Sequence, residues 1–357
     1  MTRKILEKLR NGAPSNEEIV YLLTSGDREL IFAAARETRQ KHFGNKVFSY
    51  GFVYFSTHCR NDCAFCCCRR SNRALERYRK SDSEIVEHAV NLEKSGVNLI
   101  DLTMGEDEFY TEQPARLAAI IREVKNTTGL SVMVSPGVIS RRALEMAAES
   151  GADWLALYQE THNRELFKKR RVRQNFDERM NLKRHAASLG ILVEEGIMAG
   201  IGESPADHAV SFGEMRRLNA FQIRSMRFVP QEGTPMAEFS SEFSLGNTET
   251  ELLDIAVMRL LFPDRLIPAS LDVEGLEGLK ARLNAGANVI TSLIPPDAGL
   301  MGVSQREKDI RSGCRTLRAA TPILEELGLR AAANAEYSAF LAAAKAGVKY
   351  NSRVAAI

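Results

Sequence analysis

The stretch "VFSYGFVYFSTHCRNDCAFCCC", residues 47–68, runs from an apolar, aromatic-rich segment straight into five of the chain's six cysteines. Residues 47–56 are rich in Val, Phe and Tyr, which favour an extended, buried backbone, and read as a β-strand. Cys59 and the other thiols lie in the loop that follows. Parallel α/β proteins place their chemistry just beyond the C-terminal ends of buried strands.

Working outward, the same unit recurs. "NLIDLTMG" (98–105), "LSVMVSPG" (130–137), "WLALYQET" (154–161) and "LVEEGIMAGIG" (192–202) read as strands, as do "FQIRSMRFVP" (221–230), "LIPASLD" (266–272) and "ANVITSLIP" (287–295). Amphipathic helices separate most of them. "SDSEIVEHAVNLEKSG" opens on a Ser/Asp cap and closes on Gly96, and "SRRALEMAAESG" and "ESPADHAVSFGEMRRLN" behave alike. "SGVN", "SGAD" and "AGAN" before strands fit helix ends that feed barrel strands. Eight strands alternating with helices predict an α/β fold, a (β/α)8 TIM-type barrel, rather than an open sheet. The expected layout is one domain, 1–357: a helical N-terminal extension over 1–43, the barrel over 44–303 and a helical C-terminal segment over 304–357.

Composition narrows the class. At 44% hydrophobic and 26% charged residues the chain is globular rather than disordered. A net charge of +2 without a basic arm gives no reason to expect a nucleic-acid partner. No run is apolar enough to span a membrane, and the N-terminus lacks the core of a signal peptide. A cytoplasmic chain with reduced thiols is the expectation.

The thiols are spaced Cys59-x3-Cys63-x2-Cys66. Three soft thiolates in one loop suit three irons of a four-iron, four-sulfur cluster, leaving the fourth iron open. The competing reading is zinc, with His58, Cys67 or Cys68 as fourth ligand. Cys67 and Cys68 adjoin the third ligand too closely to share its cluster edge and read as bystanders. Cys314 reads as helix packing. The spacing, with Phe65 before Cys66, resembles the signature of the radical S-adenosylmethionine (SAM) superfamily. That resemblance implies a 4Fe-4S cluster on Cys59, Cys63 and Cys66, SAM on the open iron, Phe65 near the adenine, and a reducing donor of flavodoxin or ferredoxin type.

Further stretches are narrower in their resemblance. "FGNKVF", "IDLTMGEDEFY", "SPGVIS", "LALYQET", "RFVPQEGTP" and "LIPASLDVEGLEGLKARLNAGANVITS" resemble, in order, the methylornithine synthase family. These are lysine mutases that begin pyrrolysine biosynthesis, and their relatives are the biotin synthases and a hydrogenase maturase. The resemblance covers about residues 40–300. It implies conversion of L-lysine to (3R)-3-methyl-D-ornithine by hydrogen abstraction, C2–C3 fragmentation and recombination. A maturase-like enzyme on another small substrate, or a zinc-stabilised binding barrel, are the alternatives.

Free lysine carries two ammonium groups and a carboxylate, and buried ions need partners. Arg224 suits the carboxylate; Asp101 and Asp272 suit the ammonium groups; Ser270 sits two residues from Asp272 on the same strand side. The family's substrate positions agree with these four. By the same resemblance Glu160 and Arg179 contact SAM. "TMGE" stands where the superfamily presents main-chain groups to the cofactor amine, which points to Met104 and Gly105. Tyr158 and Glu160 are expected on one face of the fourth strand. "KKRRVR" (168–173) reads as a solvated charge run, with Arg173 the one candidate for a cofactor group. "QEGTP" (231–235) reads as a turn that helps close the pocket.

Overall fold

The computed structural model describes residues 1–11, 14–238, 248–295, 298–308 and 315–354, and Cys314 lies outside them. Eight strands form where the apolar stretches predict them. They are β1 (Lys46–Ser56), β2 (Leu99–Met104), β3 (Ser131–Ser135), β4 (Trp154–Ala156), β5 (Leu192–Ala199), β6 (Gln222–Arg227), β7 (Pro268–Ser270) and β8 (Val289–Leu293). All neighbours pair in parallel, in the order β6-β5-β4-β3-β2-β1-β8-β7. The seam between β6 and β7 is bridged by Gln222 and Leu266: Ile223 N–H donates to Leu266 O and Leu266 N–H to Phe221 O, each at 3.0 Å. The sheet therefore closes into a (β/α)8 barrel.

Alternation along the strands sorts the side chains into two layers. Tyr50, Phe52, Leu99, Met133, Trp154 and Val289 fill the inside of the barrel. Val53, Phe55, Ile100, Leu102, Val132 and Ile290 face outward into the helical shell. Ser81 and Glu84 form a capping box at the start of the helix Asp82–Lys94, and Gly96 takes φ 88° beyond its end, as the sequence predicts.

Before the barrel stand three helices, Thr2–Asn11, Asn16–Thr24 and Arg28–Phe43. After β8 the chain is less uniformly helical than expected. A hairpin of β9 (Met301–Gly302) and β10 (Gln305–Lys308) precedes the helix Leu317–Glu326. β11 (Arg330–Ala331) then pairs with Lys46 and Val47 at the start of β1. These strands are too short for an alternating pattern to announce them. The helix Asn334–Val354 floors the barrel, with the Tyr337 and Phe340 rings 5.4 and 5.5 Å from Phe48.

Two strand ends differ from expectation in ways that matter for the site. β4 stops at Ala156, and the chain rejoins the sheet only where Glu160 bridges Ile197. Glu160 adopts φ 66°, which breaks the pleat, so Tyr158 and Glu160 are not successive residues of one strand face. β7 ends at Ser270, which leaves Asp272 in the turn beyond it.

Candidate active site

The C-terminal ends of the strands surround a cavity of about 1170 Å³ including its mouth, room for more than one small molecule. Cys59, Cys63 and Cys66 line it together with Phe65, Met104, Gly105, Glu160, Arg179 and Arg224. The cysteine loop is fastened on all sides. Arg60 N–H donates to Glu106 O at 3.0 Å, and Gly105 N–H to Ser56 O at 2.8 Å. The Glu106 carboxylate accepts from Arg60 Nε at 2.6 Å and from Val138 N–H at 2.9 Å, tying the loop to the end of β3. Arg77 donates to the carbonyls of Thr57, Cys68, Arg69 and Asn72. Gly105 is required here. A Cβ would overlap the His58 carbonyl oxygen and lie 2.9 Å from its carbon and 3.0 Å from Cys59 Cβ.

The donor set fits an iron–sulfur cluster. Among the described residues no three Cys, His, Asp or Glu side chains gather to hold a single metal ion, as a zinc centre would need. A cubane instead takes each thiolate on a different iron. Gln174 Nε2 donates to Cys63 Sγ at 2.9 Å, with Arg171 Nη1 at 3.7 Å, a shell suited to a thiolate. Burial pushes the Cys59 thiol up to about 11, so ligation has to displace protons. Cys67 and Cys68 pack with Tyr54, Leu75 and Met301, and Cys68 Sγ lies 3.3 Å from Tyr54 OH.

Arg171 is the residue that sequence reasoning missed. It belongs to the run read as a solvated face, yet it turns inward past the end of the helix Arg164–Arg170. Its Nη2 donates to Glu160 Oε1 at 2.7 Å and to Tyr158 O at 2.9 Å, and its guanidinium lies 5.4 Å from the Phe65 ring centroid. Arg179, on the helix Phe176–Ser188, donates to the same carbonyl at 2.7 Å and to Gln174 Oε1 at 3.2 Å. Burial and the neighbouring Arg171 lower the Arg179 guanidinium to about 10. Arg171 is ion-paired with Glu160, while Arg179 has no carboxylate within salt-bridge distance among the described residues, so the rim is short of negative charge. An anionic cluster and a cofactor carboxylate would supply it.

Deeper in the barrel, Arg224 reaches across from β6. Glycine at 196, its partner in register on β5, makes space: a Cβ there would lie 2.7 Å from Arg224 Cγ and 2.9 Å from Tyr158 Cδ1. Arg224 Nη1 donates to Tyr158 OH at 3.0 Å and Nη2 to Thr291 Oγ1 at 3.2 Å. Each Nη keeps a second N–H, a fork for a carboxylate. On its other side Arg224 Nε faces Glu194 Oε1 at 3.7 Å. Glu194 was also missed. Adjacent acids in the apolar strand "LVEEGIMA" are the signal that marks it, because a strand sends them to opposite faces. Glu195 accordingly points outward to Lys183.

Asp101 is fully buried. Its Oδ1 accepts from Ser135 Oγ at 2.8 Å; among the described residues Oδ2 has no hydrogen bond of ordinary length, with the Thr103 hydroxyl also favouring the carboxylate. Burial pushes its carboxyl up to about 7, with Glu194 adding to the rise and Ser135 and Arg224 opposing it. Ser270 and Asp272 stand apart from this group. Asp272 Oδ1 accepts from Arg315 Nη1 at 2.5 Å, and Oδ2 from Ser292 Oγ at 2.5 Å and Ser270 Oγ at 3.3 Å. Gln231 lines the cavity and its Nε2 donates to Ser304 O at 2.6 Å, fastening the turn after β6 to the β9–β10 hairpin.

Comparison with known proteins identifies the family and the fold. The model of the radical SAM superfamily matches residues 53–212. The 3-methylornithine synthase of Methanosarcina barkeri is 43% identical over 313 residues, 88% of each chain. The FeFe-hydrogenase maturase subunit HydE of Thermotoga maritima is 34% identical over 295 residues, 81% of this chain and 82% of that one. A crystal structure of methylornithine synthase superposes with a TM-score of 0.88 at 40% identity, covering 94% of this chain and 99% of the other.

Proposed function

The chain belongs to the 3-methylornithine synthases of the radical SAM superfamily, enzymes of a 4Fe-4S cluster and SAM, and from that footing we propose that it isomerises L-lysine to (3R)-3-methyl-D-ornithine, the first step of pyrrolysine biosynthesis. The observation that carries the reading is the presence, inside one closed barrel, of a fixed Arg224 fork and of Asp101, whose Oδ2 has no hydrogen bond of ordinary length among the described residues. That is a site for a small amino acid.

Cys59, Cys63 and Cys66 hold the cluster in this reading, with Phe65, Met104, Gly105, Glu160 and Arg179 around SAM. When bound, these groups supply one-electron cleavage and the radical that takes a substrate hydrogen. The chain's own residues do the rest. Arg224 anchors the substrate carboxylate and Asp101 an ammonium group. Ser270 and Asp272 offer the second ammonium what acceptor capacity Arg315 and Ser292 leave, since a carboxylate has about four lone-pair sites. Holding both ends while the bond between them breaks makes recombination faster than escape. Met226, Phe228, Val229 and Val303 line the cavity and exclude water from it.

Among the described residues no helix is long and apolar enough to cross a membrane. Reduction by a flavodoxin or ferredoxin type donor in the cytoplasm completes the reading. The test is anaerobic incubation of the reconstituted protein with dithionite, SAM and L-lysine. A branched isomer of unchanged mass is expected. Cofactor cleavage without any isomer overturns the lysine reading and favours a maturase-like substrate.

A further inference from the structure

Glu194 lies at the centre of the barrel with no part in the site outlined above. It is fully buried. Tyr50 OH donates to its two oxygens at 3.4 and 3.5 Å, and Arg224 Nε stands 3.7 Å from Oε1. Burial pushes the Glu194 carboxyl up and Arg224 opposes the rise; a guanidinium stays protonated and is costly to bury without a counter-ion, and the 3.7 Å approach makes Glu194 that counter-ion. It meets Arg224 on the Nε side, which leaves the Nη fork open.

The consequence is a count of charges. Glu160, Arg171 and Arg179 belong to the rim, and Glu106, Arg227 and Asp272 are paired with Arg60, Glu274 and Arg315 respectively. Of the described side chains that remain inside, Arg224 contributes one positive charge and Glu194 and Asp101 one negative charge each. With Asp101 ionised the interior is one unit negative. A zwitterion with an uncharged side chain balances Arg224 and Asp101 alone, and leaves Glu194 in excess. A diamino monocarboxylate, net +1, cancels the whole set.

We propose that Glu194 is a specificity-determining residue: as the inner counter-ion of Arg224 it makes the pocket select an amino acid that carries a second ammonium group over its uncharged isostere. This rests on the lysine reading of the same site and adds a charge-based reason for that pocket to favour lysine over neutral amino acids.

The test compares L-lysine with L-norleucine, which keeps the α-amino acid and lacks the terminal ammonium. Dissociation constants are measured by calorimetry on cluster-loaded protein with SAM and without reductant. Glu194→Gln keeps the shape and an acceptor for Tyr50 but removes the charge. The lysine-to-norleucine preference should fall at least about tenfold, with norleucine binding held or improved, and Glu194→Asp should restore it. A second readout is the pH dependence of lysine binding. Asp101 is faced by Ser135 from β3, Glu194 from β5, Arg224 from β6, Tyr50 from β1 and Tyr158 beyond β4. Wild-type affinity should weaken as pH falls through about 7, where Asp101 takes up its proton. In Glu194→Gln that limb should move to lower pH, because the neighbouring negative charge is gone. If Glu194→Gln does not fold, Tyr50→Phe strips the hydroxyl that supports the carboxylate and should lower the preference more strongly as pH falls. Equal loss for both ligands, with an unmoved acid limb, would reduce Glu194 to a structural role and overturn the proposal. Wild-type protein that fails to bind lysine would overturn the lysine reading itself, and this proposal with it.

Discussion

Gly105→Ala tests how tightly the metal loop is docked. The added Cβ would overlap the His58 carbonyl oxygen and sit 2.9 Å from its carbon and 3.0 Å from Cys59 Cβ, where carbon atoms ordinarily keep 3.4–4 Å. Two of these obstacles are backbone atoms, so rotamer changes give no relief. The Cys59 end of the loop has to retreat by close to an ångström. Overpacking of this kind costs about 1–3 kcal/mol of stability. Metal ligation is far less forgiving, because ligand distances are held to within about 0.2 Å. The expected result is a folded protein, slightly less heat-stable, that loads much less iron and sulfide on anaerobic reconstitution. Gly213→Ala is the control, since a Cβ there meets nothing nearer than Arg217 Nη2 at 3.7 Å, and iron loading should be unchanged. The assay is iron and sulfide per chain beside circular dichroism and melting temperature. A Gly105→Ala protein with a full, SAM-responsive cluster would refute the docking argument.

Arg224→Ala should abolish isomerisation while leaving iron content intact, and normal turnover in that variant would remove Arg224 from the substrate site. Arg171→Met removes the ion-pair partner of Glu160 and leaves only the pull of Arg179 on that carboxylate, and should cost about 1–3 kcal/mol. Adding Glu160→Gln should recover most of that stability in thermal melts without recovering SAM affinity, which calorimetry would show. Asp101 has its carboxyl raised from 3.8 to about 7, so the folded state holds a proton that the unfolded chain has released between those values. Its contribution therefore turns unfavourable as pH rises through that window and levels off above it. Asp101→Asn should stabilise the substrate-free protein progressively from pH 4 to 7, by up to roughly 4 kcal/mol, while weakening lysine binding. A constant difference across pH would contradict the burial argument.

Eight strands were legible because apolar runs recur eight times, most of them separated by amphipathic helices with caps and glycine stops. The cysteine set was legible as a set because Cys59, Cys63 and Cys66 lie within eight residues of one loop, and the structure brings them to one cavity. What escaped was side-chain direction after an element ends. Arg171 follows the last residue of a basic helix, and only its φ of −100° and ψ of 65° turn it inward. Nothing in "KKRRVR" distinguishes it from its exposed neighbours. Glu160 was expected to share a strand face with Tyr158, but a left-handed backbone at 160 carries it to the rim instead. Glu194 was readable in principle, since two acids in succession on a buried strand cannot both face the shell. Arg315 had no local signal, because its partner Asp272 is 43 residues away.

The floor of the barrel is contributed by a segment far from its first strand. Lys46 and Val47 pair with Arg330 and Ala331, and Phe48 packs against Tyr337 and Phe340 of the helix Asn334–Val354 as well as against Phe43. During synthesis the thiol loop leaves the ribosome long before that helix exists. Pairings of such separation in sequence form slowly. For that interval the nascent chain displays its cysteines on an unsealed cylinder. The thiol loop and the floor of the barrel are thus built from opposite ends of the chain, and the sheet's first strand is completed by the part of it that is synthesised late.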